Sequence, residues 1–520
     1  MKKIFSTWLQ AICSPCFRRL HTFYVRFRAG TRQIPAASGD LPHPHDWPLF
    51  ARMALMADNN LQRGAADMLP SLPRQRGNLP IHHISADNFT VASLQAELNA
   101  LPESGGQIYL PPGRLLFEKP LHLPSHLHLI GSPGTELVFR TQEFALVIQG
   151  QHEALAQGIH LENLHIRHEG EHCFSAAVFI SEAFDLHLHN VHIHAPLAVG
   201  FLLSDHVYRV RMTQCSVYHA GLAGFMLVRD VTDCLLQECS AEHCMQSGIF
   251  LTDLKCPSDV APMDFDAQIN HTLNVIGNFA PFAPEDPTPQ RNTLLDCTFS
   301  RNRKMGITTD GTGNLRVLNC IIAENDCEGI TLDNGAWQCE VLNCHISGNG
   351  WRGLQHEVEL TEDFVEKMGL MADGGSKAKL PGISLDNAAY CHIKNNLIEK
   401  NWGDGVKFVR ATYACTVASN LICHNNRGGN DTFHFFGILI GIAERQHPEQ
   451  SDFASCHNRI IDNDIIGTHH AGIHLLPHTF GNLLRANRII DAIYMAVEDH
   501  AGKDNCAEHN GENLFNLNSK

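Results

Sequence analysis

No stretch of the 520-residue chain approaches the roughly 20 consecutive apolar residues that a membrane-spanning helix requires, so no integral membrane span is expected. Positive charge is also in short supply. With 39 Lys and Arg against 55 Asp and Glu, the formal charge is −16. That balance speaks against nucleic acid or an anionic membrane as a partner of the whole surface, and more weakly against polyanionic glycans unless a local basic groove overrides it. The opening MKKIFSTWLQAICSPCFRRL has a basic tip and a short apolar stretch. It then offers renewed basic residues where a signal peptide would show small residues for cleavage, so a cytoplasmic location is favoured over export. Cys13 and Cys16 form a CSPC pair with no βαβ pattern around it, and no redox or metal role is assigned to them.

What the chain does have is a repeat. Asn or Cys followed nine residues later by Gly recurs at Cys215 and Gly224, Cys239 and Gly248, Cys297 and Gly306, Cys320 and Gly329, Cys344 and Gly353, Asn396 and Gly405, and Asn463 and Gly472. Successive starts lie 23 or 24 residues apart at Cys215 to Cys239, Cys297 to Cys320 and Cys320 to Cys344. A second register runs five residues later through Asn302, Asn325, Asn349, Asn401 and Asn425. A unit this short, made of β-branched stretches such as CIIAEN and GITLDN, cannot bury an apolar face alone, so neighbouring units must complete the core. The reading is an all-β solenoid in which strands bond to equivalent strands about 4.8 Å away, with like residues stacked in ladders along the axis. Asn suits a corner, since its amide can bond its own kind and tolerates left-handed backbone angles. The recurrent cysteines then become stacked core thiols.

These coils resemble the right-handed parallel β-helix of the pectin-lyase-like superfamily. Residues 87–138 are similar to that superfamily's entry segment, with an amphipathic helix containing Leu94 and Leu98, then GGQIYLPPG, then the first coils. The resemblance implies a single-stranded right-handed parallel β-helix over residues 81–500, preceded by a mixed N-terminal extension over 1–80 and followed by a polar tail over 501–520. It implies nothing so definite about activity, because one solenoid carries many chemistries.

Residues in excess of the period must leave the solenoid as loops, and loops on one side build a binding site. Three such insertions fall near residues 254–290, 354–381 and 426–457. Beside them GITTD, GITLD and GISLD place Asp310, Asp333 and Asp386 each four residues after the coil's Gly. Alternation along a strand turns the second and fourth residues after Gly the same way, outward, so these aspartates should form a column. Asp-Asn and Asp-Gly after a strand are also ordinary turn dipeptides. Yet carboxylates stacked at one coil spacing repel, and such a column calls for a reason.

For glycoside cleavage the reason is a general acid beside a nucleophile or base, with adjacent-coil carboxylates fitting a retaining pair and alternate coils the wider inverting gap. Asp310, Asp333 and Asp386 are the catalytic candidates, Asp310 with Asp333 the preferred pair. Asp253, His356, Lys407, Arg410 and His434 are the substrate-binding candidates, with Asp253, Lys407 and Arg410 read as extending the row. Polygalacturonase-like hydrolases of the resembled superfamily also use clustered aspartates with His and an Arg/Lys pair, but their NTD and GHG signatures are absent here. His469, His470 and His474 are further candidates near the third insertion, although polar residues on exposed strands or turns fit the same pattern. The alternating His187, His189, His192 and His194 were weighed as metal ligands and set aside, since no Cys or carboxylate completes a tetrahedral set.

The expected function is therefore a carbohydrate-active enzyme acting on a polymer bound along the solenoid, with glycoside hydrolysis leading. A lyase or uronate C5-epimerase, for which Ca²⁺ would be a cofactor, is the second reading; otherwise neither cofactor nor metal is expected. A non-catalytic glycan-binding scaffold is the third.

Overall fold

The computed structural model describes residues 80–84, 91–151, 154–170, 175–252, 290–333, 335–351, 379–409, 411–429, 434–441, 455–467, 469–477, 479–501, 505–508 and 510. The expected extension over 1–80 (apart from Pro80), the interiors of the three insertions, the tail beyond 510, and Asp253, His356 and Arg410 lie outside these residues.

An entry helix, Val91–Asn99, is the one α-helix among the described residues, and its Leu94 and Leu98 are fully buried at the start of the core. From Gly106 onward the chain winds into coils whose strands pair in parallel with the same strand of the next coil. One coil consists of Arg316–Leu318, Ile321–Ala323 and Ile330–Asp333. These pair with Glu340–Leu342, His345–Ser347 and Ile383–Asp386 of the next coil. The repeat thus closes as a β-helix with three strands per coil. Its interior is a continuous stack of Ile, Leu, Val, Phe and Cys running from Leu94 to Ile489.

Two columns at the corners explain the Asn and Cys spacing. In the column Asn302, Asn325, Asn349, Asn401, Asn425, each Asn Oδ1 accepts both the backbone N–H and the side-chain Nδ2–H of the Asn one coil before, at 2.8–3.1 Å. A corner cannot supply its own inter-strand partners, so the side chain of the next coil satisfies a backbone donor that would otherwise be orphaned. In the second column Cys239, Cys297, Cys320 and Cys344 occupy the place taken further on by Asn396, Asn420, Asn463 and Asn487. The thiols donate to carbonyls, as Cys320 Sγ does to Leu318 O at 3.3 Å. Every cysteine from Cys215 to Cys423 in the described residues is a buried free thiol.

One expectation needs correcting. The ladder Asn does not take the left-handed backbone; the residue before it does. Arg301, Glu324, Lys400 and His424 precede column members at φ 54–57°, and Asn319, Asn343 and Asn395 do the same in the second column. The ladder residue must point its amide inward along the axis, and the chain reverses one position earlier.

Outside the core, a second apolar cluster lies on the outer side of one face, with Val147, Phe179, Leu202 and Met226 in successive strands, all buried. The outward positions of the same face change character after residue 250, and there the candidate site begins.

Candidate functional site

The face that matters is built by Phe225–Val228, Ile249–Thr252, Ile307–Asp310, Ile330–Asp333, Ile383–Asp386, Val406–Phe408, Ile438–Ile440, Ala471–Leu475 and Met495–Asp499, paired in that order. Ile307, Ile330, Leu332, Ile383 and Leu385 point into the core, so the intervening residues point out.

The aspartate column exists. Asp310 is in direct register with Asp333, and Asp333 with Asp386, on adjacent parallel strands. Neighbouring members are therefore about one strand spacing, ~4.8 Å, apart along the axis. Asp310 is buried, whereas Asp333 and Asp386 are half-buried. Thr252 occupies the same register position one coil earlier.

Lys407 does not extend that column. It pairs with Ser384 and so continues a parallel outward row of Thr308, Thr331 and Ser384, two residues nearer the strand's start. The cause is simple counting: Lys407 is the second residue after its Gly, the aspartates the fourth. The three hydroxyl residues are buried despite facing outward, and Thr331 Oγ1 has no hydrogen-bond partner among the described residues.

Two acidic groups that the sequence reading missed border the other edge of this face. Glu328 and Asp404 each stand immediately before a coil's Gly, two coils apart. Asp404 is 3% exposed, and burial pushes its carboxyl up to about 6 against the opposing pull of Lys407 and of the Phe436 N–H, which donates to Asp404 Oδ1 at 2.7 Å. Burial also raises Glu328, again opposed by Lys407. One cation in the outward row thus faces two carboxyl groups held above their ordinary range. Their signal was an acidic residue before Gly in the sequences EGITLD and DGVKF, which reads as turn chemistry until the coils are stacked.

His434 lies in the segment that caps Asp404. Its ring stacks on His470 at 4.1 Å between centroids, and His470 stacks in turn on Tyr494 at 5.3 Å. His469 is structural: it ends the Asn column by standing 3.3 Å from Asn425 Nδ2, and burial lowers it to about 3, so its ring is neutral. His187, His189 and His192 have hydroxyl partners in the next coil, Thr213 and Ser216.

A separate cavity of about 730 Å³ runs along the corner beside the Asn column and contains none of the sequence-derived candidates. Trp351, Trp402, Arg303, Lys400 and Arg427 line it. Trp402 has Arg427 4.8 Å and Lys379 5.3 Å from its ring centroid. Glu324 and Asp326 also line it, so the cavity mixes carboxylates with its aromatic and cationic side chains, a lining that suits a polar ligand.

These coils, ladders and faces define a right-handed parallel β-helix protein. Residues 289–380 match the family model described as "Right handed beta helix region". Among solved structures, the A-module of mannuronan C-5 epimerase AlgE6 from Azotobacter vinelandii is similar at TM-score 0.52 and 12% identity, covering 81% of this chain and 95% of that one. Tailspike protein 3 of bacteriophage CBA120 aligns at TM-score 0.49 and 10% identity, over 89% of this chain and 70% of that one. The catalytic domain of a GH87 α-1,3-glucanase aligns at 0.40 and 10%, over 82% and 67%. A search of curated protein sequences returns no match. At these identities the likeness is one of fold.

Proposed function

We propose that this protein is a carbohydrate-active enzyme that cleaves glycosidic bonds in a polymer lying along the solenoid axis, across the face bearing Asp310, Asp333 and Asp386. The observation that carries the reading is the register of those three carboxyl groups on adjacent strands. Their spacing of about 4.8 Å approaches the ~5–5.5 Å between acid and nucleophile in retaining glycosidases. Asp333 stands between the other two in the register, within reach of a carboxyl group on either side. Asp333 is accordingly the general acid. Asp386, half-buried like Asp333, is the nucleophile at the accessible end of the row, and buried Asp310 backs the pair. Lys407 and His434 bind the sugar chain from the neighbouring row and the facing edge. A carbohydrate polymer as substrate agrees with the mannuronan C-5 epimerase module that shares the fold.

The second reading, a lyase or C5-epimerase, is favoured by a different observation: Lys407 is the cation at the centre of the outward row, with Glu328 and Asp404 in its field. Its ammonium would stabilise the negative charge that develops on a uronate as a carboxylate of the aspartate column takes the C5 proton, while the other aspartate oxygens offer hard ligands to a Ca²⁺ that neutralises the substrate carboxylate.

The test is a polysaccharide screen of the wild type, D333N, D386N and K407A. New reducing ends without ultraviolet-absorbing unsaturated ends, reduced at least about 100-fold in both Asp variants, are the expected result. Unsaturated ends abolished in K407A would transfer the assignment to the lyase. Full activity in D333N and D386N would remove the column from the chemistry.

A further inference from the structure

At the far end of the same face, Glu498 is the register partner of His474, and His500 follows Glu498 by two residues. Glu498 lies in the strand Met495–Asp499 and His500 just beyond its end, while the adjacent strand Ala471–Leu475 supplies His474. His474 Nδ1 is 2.7 Å from Glu498 Oε2, and His500 Nε2 is 2.8 Å from Glu498 Oε1. One donor atom from each of the three lies within 4.8 Å of the other two, and no other group of three His, Cys, Asp or Glu among the described residues comes so close.

From this geometry we infer that His474, Glu498 and His500 form a binding site for a divalent transition metal of the Zn²⁺ class. Two imidazole nitrogens and one carboxylate oxygen make a three-ligand set that leaves a fourth position open. Nitrogen donors favour zinc and its first-row neighbours over Ca²⁺ and Mg²⁺, which take oxygen. The supporting structure is graded: the side chain of His474 is 9% exposed, that of Glu498 16%, and that of His500 56%. Two ligands are thus fixed, and the third is the gate through which an ion enters.

The contacts are shorter than the ~3.3 Å between donor atoms on a tetrahedral ion with bonds of about 2.0–2.1 Å. The two contacts go to different oxygens of Glu498, so an ion held by one of them displaces both N–H···O hydrogen bonds and draws the imidazoles toward that oxygen, a movement exposed His500 can make. His474 continues the outward row of Lys407, with Leu439 between them. The open coordination position therefore belongs to the surface that carries the carboxylate column, where an oxygen anion of a ligand could complete it. Metal binding does not depend on the carbohydrate reading, and its test does not use activity.

Full-length protein, freed of metal with a chelator, is titrated calorimetrically with Zn²⁺ and with Ca²⁺, and separately with Co²⁺ while its visible spectrum is followed. Wild type should take up one Zn²⁺ per chain and give cobalt d–d bands, and excess Ca²⁺ should not displace the bound Zn²⁺. H500A and E498Q should each weaken Zn²⁺ by at least about 100-fold, more than the 10–100-fold that outer-shell changes cost. H457A, which alters a histidine on a different row, should bind as wild type does. Circular dichroism and the metal-free melting temperature establish that each variant is folded; if E498Q is not, H500A, altered at an exposed side chain, decides. Absence of Zn²⁺ uptake by wild type, or unchanged affinity in H500A, overturns the assignment.

Discussion

Asp404→Asn should make this protein more stable, and only above a definite pH. The buried carboxyl has its midpoint near 6 in the fold, against 3.8 for an ordinary aspartate. A gap of about two pH units, at ~1.36 kcal/mol each, corresponds to roughly 3 kcal/mol. The sign follows from which form is disfavoured. Because the folded value is raised, the fold tolerates the neutral carboxyl fully below pH 3.8 and loses that advantage as pH rises through about 6. Asparagine keeps the oxygen that accepts the Phe436 N–H and carries no charge at any pH. Urea unfolding of wild type and D404N across a pH series should therefore show no difference near pH 3.5 and a gain of about 2–3 kcal/mol for the variant by pH 8. A gain of the same size at both ends would assign the effect to packing. A loss at pH 8 would mean that Lys407 more than offsets the burial of the charge, and would refute the reasoning.

Three further outcomes concern the solenoid itself. Asn349→Ala removes the acceptor of the Asn325 backbone and side-chain N–H groups and the donor to Ile322 O and Asn401 Oδ1. One fully orphaned buried amide and three weakened contacts amount to about 3–6 kcal/mol, read as a fall in the denaturation midpoint together with faster hydrogen exchange at the Asn325 amide. Asn349→Cys should lose less, since Cys344 Sγ already serves as acceptor for the Cys320 N–H at 3.4 Å. In Gly329→Ala the new methyl would meet Gly382 O at 2.6 Å and Ile346 Cγ2 at 2.8 Å, and a loss of about 2–3 kcal/mol in thermal or chemical unfolding is expected.

The architecture was legible because it is periodic. Once Cys297 and Cys320 are read as one position, the register of Asp310 and Asp333 follows without coordinates; Asp386 joins it through the like motif GISLD beyond an insertion, and the strands pair as that register requires. Legibility failed where the function of a residue depends on which coil edge it occupies. Lys407 was assigned to the aspartate column although it stands two places earlier in its strand. His469 read as a site candidate because a histidine that replaces Asn in a ladder breaks the visible pattern while keeping its place. Asp404 and Glu328 escaped because a carboxyl before Gly looks like a turn, and only the packing of neighbouring coils shows that water is withheld from it. The burial of Thr308, Thr331 and Ser384 on an outward row was likewise beyond reach, since no pattern within the strand says what covers it.

The amide columns have a consequence for how such a molecule changes length. Each corner is satisfied by the single coil that follows it, whether the reaching group is Asn349, Asn401 or a thiol such as Cys344. A whole turn of the spiral can therefore be duplicated or deleted and every remaining corner still finds its partner. The working surface then lengthens or shortens in steps of about 4.8 Å without altering its cross-section. Evolution can fit such a surface to longer or shorter polymers by copying a segment of some two dozen codons, with no redesign of the interior.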